Sequence, residues 1–494
     1  MTAGQPPTTA TDDRSRWTAL FVLCVGVLMI VLDATVVNVA LPSIRADLGF
    51  SAAGLAWVIN AYLIAFGGLL LLAGRLGDLA GQRRIFLAGL AVFTAASVAC
   101  GAAVNPAMLI AARFVQGAGG ALTSAVILGL IVTLFPEPRE QARAVGVYAF
   151  VASAGGAVGL LAGGALTQWV TWHWIFFVNV PIGLATMVAA ARLLPAGTRL
   201  GVRAGADVLG AALITSALML GVYTLVVPAA EDGWTGATTL VCGAVSLALV
   251  AAFLVRQATA AAPLMPLRIL RSSTVAGANV VQALGASGMF GSFFLGALYL
   301  QQVLGYGPLE IGLAFLPVTV LMGGLSVRYS ERLITRFGAQ PVMVTGLLFV
   351  AAGMVLFALA PVDARYVVNV LPAAVVIGIG AGLCFPPTMT LAMTGVRPSD
   401  AGLASGLVNT TAQVGGAIGL SILTTVSTER STSLRESGSG LLDALTGGYH
   451  AAFWIAAVLI VAALATALTV LRPARTAPAQ PVEPIEQEPV PVAA

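Results

Sequence analysis

Two ionisable side chains stand deep inside apolar runs: Asp33 in LMIVLDATVVNVALP (28–42) and Arg113 in LIAARFVQGAGGAL (109–122). A charge at the centre of a membrane helix costs about 2.5–3.5 kcal/mol on insertion scales, so such residues face a protein interior and mark proton or ion pathways. Asp33 lies eight residues before Leu41, and Arg113 lies seven residues after Pro106. If the two runs cross a membrane in opposite directions, a rise of about 1.5 Å per residue sets both side chains at a similar depth, in the outer half of the bilayer. An opposite charge within about 4–6 Å keeps a carboxylate ionised, whereas desolvation favours its neutral form. Poised between these effects, Asp33 is a candidate proton carrier answering to Arg113. A static ion pair is the competing reading.

Other chemistry is excluded by composition. All 24 basic residues are Arg and none is Lys, so a GxxxxGK[ST] phosphate loop and Schiff-base chemistry are absent. His173 and His450 are the only two histidines and fall at helix edges, which leaves no histidine metal cluster. Cys24, Cys100, Cys242 and Cys384 sit in apolar runs, where small buried thiols are ordinary packing. The net charge of +4 comes from arginines scattered along loop ends and is no nucleic-acid signature. No metal, cofactor or ATP is expected; the proton motive force is the available energy source.

The elements that must position these residues are membrane helices. The chain of 494 residues is 59% hydrophobic and 9% charged, far below the roughly 25% charge of a soluble domain. Apolar runs of about 20 residues number fourteen, among them 17–41, 309–334, 402–427 and 450–471. Placing the N-terminus in the cytoplasm puts 19 arginines in inner segments and only Arg45, Arg365, Arg430 and Arg435 in outer ones. That asymmetry predicts both termini cytoplasmic. The first 16 residues are polar and precede a full-length span, so the first helix reads as retained rather than as a cleaved leader. The tail 472–494 is Pro-rich and expected to be disordered.

Four segments recur in the same order at offsets close to 257–261: LGFSAAGLAW (48–57) as LGYGPLEIGLAF (304–315), RRIFLAGL (83–90) as QPVMVTGL (340–347), GAGGAL (117–122) as GIGAGL (378–383), and GGAVG (155–159) as GGAIG (415–419). They predict two six-helix halves, 17–195 and 275–471, with an inserted helix pair at 207–256. Two halves around a polar site are a secondary-transporter plan.

Further candidates follow from residue type. In GRLGDLAGQRR (74–84), Gly74 and Gly81 permit tight turns, Asp78 suits a helix N-terminus, and Arg83 anchors the inner interface; a plain positive-inside loop is the alternative. The fifth span carries Gly155, Gly159 and Gly163 at four-residue spacing, which lets backbones approach closely. Asn279 with Gln282, and Asn409 with Gln413, share helix faces, and Tyr62, Phe290 and Phe293 add aromatic surface. With Asn38 and Gln116 these residues are candidates to line an amphipathic pocket; interhelical hydrogen bonding explains them equally. N-capping accounts for Glu310.

These motifs resemble those of a known family. LDATVVNVALP (32–42) resembles the first-helix motif of the fourteen-helix drug:proton antiporters, a branch of the major facilitator superfamily. GRLGDLAGQRR resembles that superfamily's loop between helices 2 and 3, and LIAARFVQGAGGAL its fourth-helix motif. The glycines of the fifth span follow the antiporter motif, and WHWIFFVNVPIG (172–183) is similar to the segment leading into helix 6. Two positions depart from the pattern: Leu160 replaces a proline and Leu79 an arginine.

The resemblance implies an all-α membrane protein with the major facilitator fold, two six-helix bundles plus two inserted helices. It implies proton-driven efflux of drugs, antibiotics or other amphipathic compounds by alternating access, with Asp33 and Arg113 in proton coupling and Asp78 stabilising one gate conformation. The expected setting is a bacterial inner membrane, the expected partners are small amphipathic substrates and protons, and a monomer is expected. The rival readings are an exporter dedicated to one endogenous metabolite or lipid precursor, and a membrane sensor or scaffold that does not transport. An enzyme is disfavoured, because no nucleophile–base pair stands out.

Overall fold

A computed structural model of the protein describes residues 13–195, 206–228, 233–260, 263–265, 267–394 and 401–471. The tail at 472–494 and residues 1–12 of the N-terminal segment lie outside the described residues. Fourteen helices among the described residues are long and apolar enough to cross a membrane. We number them α1 (Asp13–Leu48), α2 (Trp57–Ala80), α3 (Gln82–Gly101), α4 (Pro106–Leu134), α5 (Pro138–Trp169), α6 (Trp174–Leu193), α7 (Val208–Val226), α8 (Ala237–Thr259), α9 (Ser273–Gln302), α10 (Pro308–Arg328), α11 (Ala339–Ala358), α12 (Tyr366–Met393), α13 (Ala401–Glu436) and α14 (Leu441–Thr469). An even number of crossings returns the chain to its starting side. We call the end at which α1 begins and α14 ends the near face, and the opposite end the far face.

Several helices overrun their apolar runs. α1 continues through Pro42 to Leu48, and α13 runs on through the polar stretch STERSTSLRE to Glu436, because backbone pairing within a helix does not stop where hydrocarbon ends. The tenth run instead breaks: α10 stops at Arg328 and a separate amphipathic helix, Ser330–Phe337, follows. Gly81 and Gly338 stand at equivalent turns, before α3 and α11, with φ of 97° and 87°, a region that favours glycine.

The internal repeat reappears as packing. At the α3–α4 crossing a Cβ on Gly119 would lie 2.5 Å from the Phe93 nitrogen and 3.0 Å from the Gly89 carbonyl; at α11–α12 a Cβ on Gly380 would lie 2.6 Å from both the Val350 nitrogen and the Gly346 carbonyl. Each crossing brings backbones together where only hydrogen fits. Likewise α5 packs on α1, and α13 packs on α9.

The two six-helix sets meet along two seams, α2 with α13 and α5 with α10. At the second, the Leu160 carbonyl lies 2.5 Å from where a Cβ on Gly312 would stand, and a Cβ on Gly164 would lie 2.8 Å from the Leu309 Cα. The Leu309 N–H donates to Gln168 Oε1 at 3.2 Å. The inserted pair leans on the first seam. Thr215 of α7 packs against Gly68 of α2, and Thr425 Oγ1 of α13 donates to the Leu225 carbonyl of α7 at 2.7 Å.

At the near face the pair is tied by Asp207, which caps α7. Its carboxylate accepts from the Gly210 N–H (2.9 Å), Arg256 Nε (3.0 Å) and Gln257 Nε2 (2.8 Å), and Gln257 Oε1 accepts from the Met265 N–H (3.0 Å). Burial favours the neutral acid, but these donors outweigh it and hold the carboxyl below the usual carboxylate range.

Candidate functional site

Asp33 and Arg113 meet. Arg113 Nη1 donates to Asp33 Oδ2 at 2.6 Å, and the side chains are 0% and 1% exposed. Five helices build the surroundings. From α4, Gln116, one turn beyond Arg113, donates from Nε2 to Asp33 Oδ1 (2.8 Å) and accepts from Arg113 Nη1 on Oε1 (2.7 Å). From α6, Asn179 Nδ2 donates to Asp33 Oδ1 at 3.1 Å. From α3, Ser97 Oγ accepts from Gln116 Nε2 (2.8 Å), and Cys100 Sγ approaches Gln116 Oε1 at 3.5 Å. From α2, the Val58 carbonyl accepts from Arg113 Nε at 3.0 Å. The guanidinium lies over the Tyr62 ring at 4.4 Å and near the Phe176 ring at 5.7 Å.

Local sequence explains the closeness. Arg113 and Gln116 lie three residues apart on one face of α4. Gly117, next in the chain, lets α2 approach: a Cβ there would sit 2.4 Å from the Tyr62 carbonyl. On the other side of α1, Gly155, Gly159 and Gly163 of α5 face Leu28, Thr35 and Val36, and a Cβ on Gly163 would meet the Val36 Cα and carbonyl at 3.0 Å. The helix that carries the acid is thus held against α5 by these close approaches and against α4 and α6 by the Asp33 hydrogen bonds.

An ion pair at this depth survives because each charge is met more than once. A buried carboxylate needs its lone pairs satisfied as well as a counter-charge, and Asp33 has three donors for its two oxygens. Adding a proton to Asp33 would remove the counter-charge and leave Arg113 with neutral acceptors and two aromatic faces.

The remaining candidates are dispersed. Asp78 is exposed near the end of α2, and a Cβ on Gly74 would meet nothing within 4 Å. Arg83 donates to the Ala191 carbonyl near the end of α6, tying the α2–α3 turn to that helix. Leu160 is buried at the α5–α10 seam, and Leu79 is buried too. Of the pocket candidates, Tyr62 and Gln116 belong to the Asp33 cluster. Asn38 is half-buried and bonds the Ala34 carbonyl in its own helix. Asn279 is committed within the second half, donating to the Val275 carbonyl and accepting from Thr411. Gln282 is half-buried on α9. The Phe290 ring lies against Gly416, and Phe293 packs on Phe315 with centroids 5.2 Å apart. Asn409 is exposed and bonds the Ser405 carbonyl. Gln413 backs onto Gly67 of α2, with its Oε1 buried and unpartnered. The structure does not gather these side chains into one site. Asn179 and Ser97 were not singled out by sequence reasoning; the signal for Asn179 is one amide within the apolar FFVNVPIG segment.

The profile of the Major Facilitator Superfamily matches residues 23–420. The chain belongs to the Major Facilitator Superfamily. It is 39% identical over 464 residues to a puromycin resistance protein of Streptomyces alboniger, covering 92% of both chains. It is 41% identical over 435 residues to a cephamycin export protein of Amycolatopsis lactamdurans, covering 87% of this chain and 89% of that one. A tetracenomycin C resistance and export protein of Streptomyces glaucescens is 35% identical over 423 residues, covering 85% and 78%. Among solved structures, a bacterial homologue of the human lysosomal transporter Spinster, crystallised inward-facing and unoccupied, aligns with a TM-score of 0.65 at 18% identity over 93% of this chain and 98% of that one. At that identity the likeness is one of fold alone.

Proposed function

We propose that this protein exports drug-like, amphipathic compounds across a bacterial inner membrane by alternating access, driven by inward proton flow. The observation that carries the reading is the fully buried Asp33–Arg113 pair, set in a chain whose relatives are named for antibiotic resistance and export. The near face is cytoplasmic, on the arginine asymmetry of the loops, and the protein works as a monomer without ATP, metal or cofactor. Asp33 is protonated from the far, outer side and releases its proton toward the cytoplasm, and substrate binding biases the same switch. Each proton supplies about 2.3 kcal/mol per 100 mV of membrane potential, plus any pH gradient. The ion pair and its five-helix network favour this reading over a non-transporting sensor.

The test is uptake of radiolabelled puromycin into inside-out proteoliposomes under an imposed pH gradient, followed by a panel of unrelated drugs. The wild type should accumulate drug only with the gradient, and Asp33→Asn should not. Normal gradient-driven uptake by Asp33→Asn would refute proton coupling through this site. Uptake of a single compound from the panel would favour the dedicated exporter.

A further inference from the structure

Arg113 grips α2 on one side, through the Val58 carbonyl and the Tyr62 ring. Residues 58 and 62 are four apart and share a face. Asn60 lies about 200° round the helix from Val58 at 100° per residue, on the opposite face. There its Nδ2 donates at 2.8 Å to Ser421 Oγ of α13, across the boundary between the two halves. Both residues are 0% exposed. Ser421 Oγ passes its own hydrogen to the Ala417 carbonyl, so its hydroxyl is fixed as an acceptor toward Asn60. Asn60 Oδ1 is buried without a partner.

A half-satisfied amide in a fully buried position is costly, and neither residue touches Asp33 or Arg113. Folding within each half does not require the contact, since it joins one half to the other. It lies in the first turn of α2, at the far-face end of the α2–α13 seam, which continues through Gly67 against Gln413 to Leu71 against Gly406. Another inter-half hydrogen bond at that face among the described residues, Leu309 N–H to Gln168 Oε1, lies on the α5–α10 seam, where Gln168 is exposed, and involves none of the residues that contact Arg113.

We propose that α2 carries the state of the Asp33–Arg113 pair to the C-terminal half, and that the Asn60–Ser421 hydrogen bond is the latch through which it acts. Asn60 and Ser421 are positioning residues: they hold the far side closed while the ion pair is made, and separate when that side opens. The inference rests on the alternating-access reading above.

The test measures the ratio of far-side-closed to far-side-open protein in the full chain, reconstituted in nanodiscs. Spin labels at Val104 and Val367, both exposed at the far face in opposite halves, are placed in a cysteine-free background. Losing one buried hydrogen bond is expected to shift the ratio toward open by about three- to tenfold. Asn60→Ala and Ser421→Ala should each do so, and the double variant should shift it no further than one alone. The effect of Asn60→Ala should also change by more than about twofold in an Asp33→Asn background, since coupled sites are non-additive. Gln168→Ala should give the same shift with or without Asp33→Asn. Variants that leave the ratio within twofold of wild type, or whose effects simply add, overturn the latch and leave proton coupling standing. Equal coupling of Gln168→Ala to Asp33 overturns the role of α2. A wild type with one fixed distance overturns both the latch and alternating access.

Discussion

Asp33→Asn and Arg113→Gln should each be far more damaging to stability than the two together. Asp33→Asn leaves a guanidinium that is 1% exposed with no counter-charge, and Arg113→Gln leaves a carboxylate that is 0% exposed with only Gln116 and Asn179 as donors. Breaking a buried pair from one side costs about 3–5 kcal/mol, because the orphaned charge stays in low dielectric. Removing both charges leaves amides that still bond to Gln116, Asn179 and the Val58 carbonyl, so the double variant should fall within about 2 kcal/mol of wild type, in keeping with replaced buried pairs elsewhere. The expected coupling energy is therefore at least about 4 kcal/mol. Reversible unfolding of the purified protein in mixed micelles, run as a complete double-mutant cycle, reads it directly. Proton-driven transport should be lost in all three variants, which separates restored stability from restored coupling. A coupling energy below about 1 kcal/mol would refute the claim that the two charges sustain each other.

Asn179→Ala removes one donor to a buried carboxylate, a bond worth about 1.5–3 kcal/mol, and should lower gradient-driven transport at least tenfold in proteoliposomes while leaving drug binding within a few-fold. Gly163→Ala places a methyl against the Val36 backbone and should cost about 1–3 kcal/mol by the same unfolding assay; Gly146→Ala, where a Cβ meets nothing within 4 Å, should be neutral or stabilising by up to about 1 kcal/mol. Asp207 has a carboxyl held below its usual range, so its contribution is complete above the unfolded value of about 3.9 and lost as pH falls from there through the folded value. A plot of wild-type melting temperature against pH should bend downward below that point, and Asp207→Asn should melt lower at neutral pH and lack that part of the bend.

The pairing of Asp33 with Arg113 is legible in the sequence because a charge in an apolar run is a loud signal and helix rise converts position into depth. The two halves are legible for a similar reason: the recurring glycines mark crossings such as Gly89 on Gly119 and Gly346 on Gly380, where backbone proximity forbids a side chain. Asn179, Ser97 and Asn60 are quieter. An amide or hydroxyl in a span is as often a local helix bond as a network member, and only the neighbouring helix decides. The same ambiguity governs the candidate pocket. Spacing places Asn279 and Asn409 on faces of their helices, but packing turned the first toward Thr411 and left the second bonded to its own helix. Helix ends are not legible where polar residues carry a helix past the hydrocarbon, as in α13.

The lean of α7 on the α2–α13 seam makes the bundle's two flanks unequal toward the lipid. On one flank Thr215 and Leu225 of α7 are fastened to both halves at once, a strip of helix that caulks the joint from outside. On the other, α5 and α10 present their joint with no such cover among the described residues, and most of both spans is not buried. A compound already dissolved in the bilayer therefore meets two unlike joints, one sheathed by a further helix and one made of the two seam helices alone among the described residues.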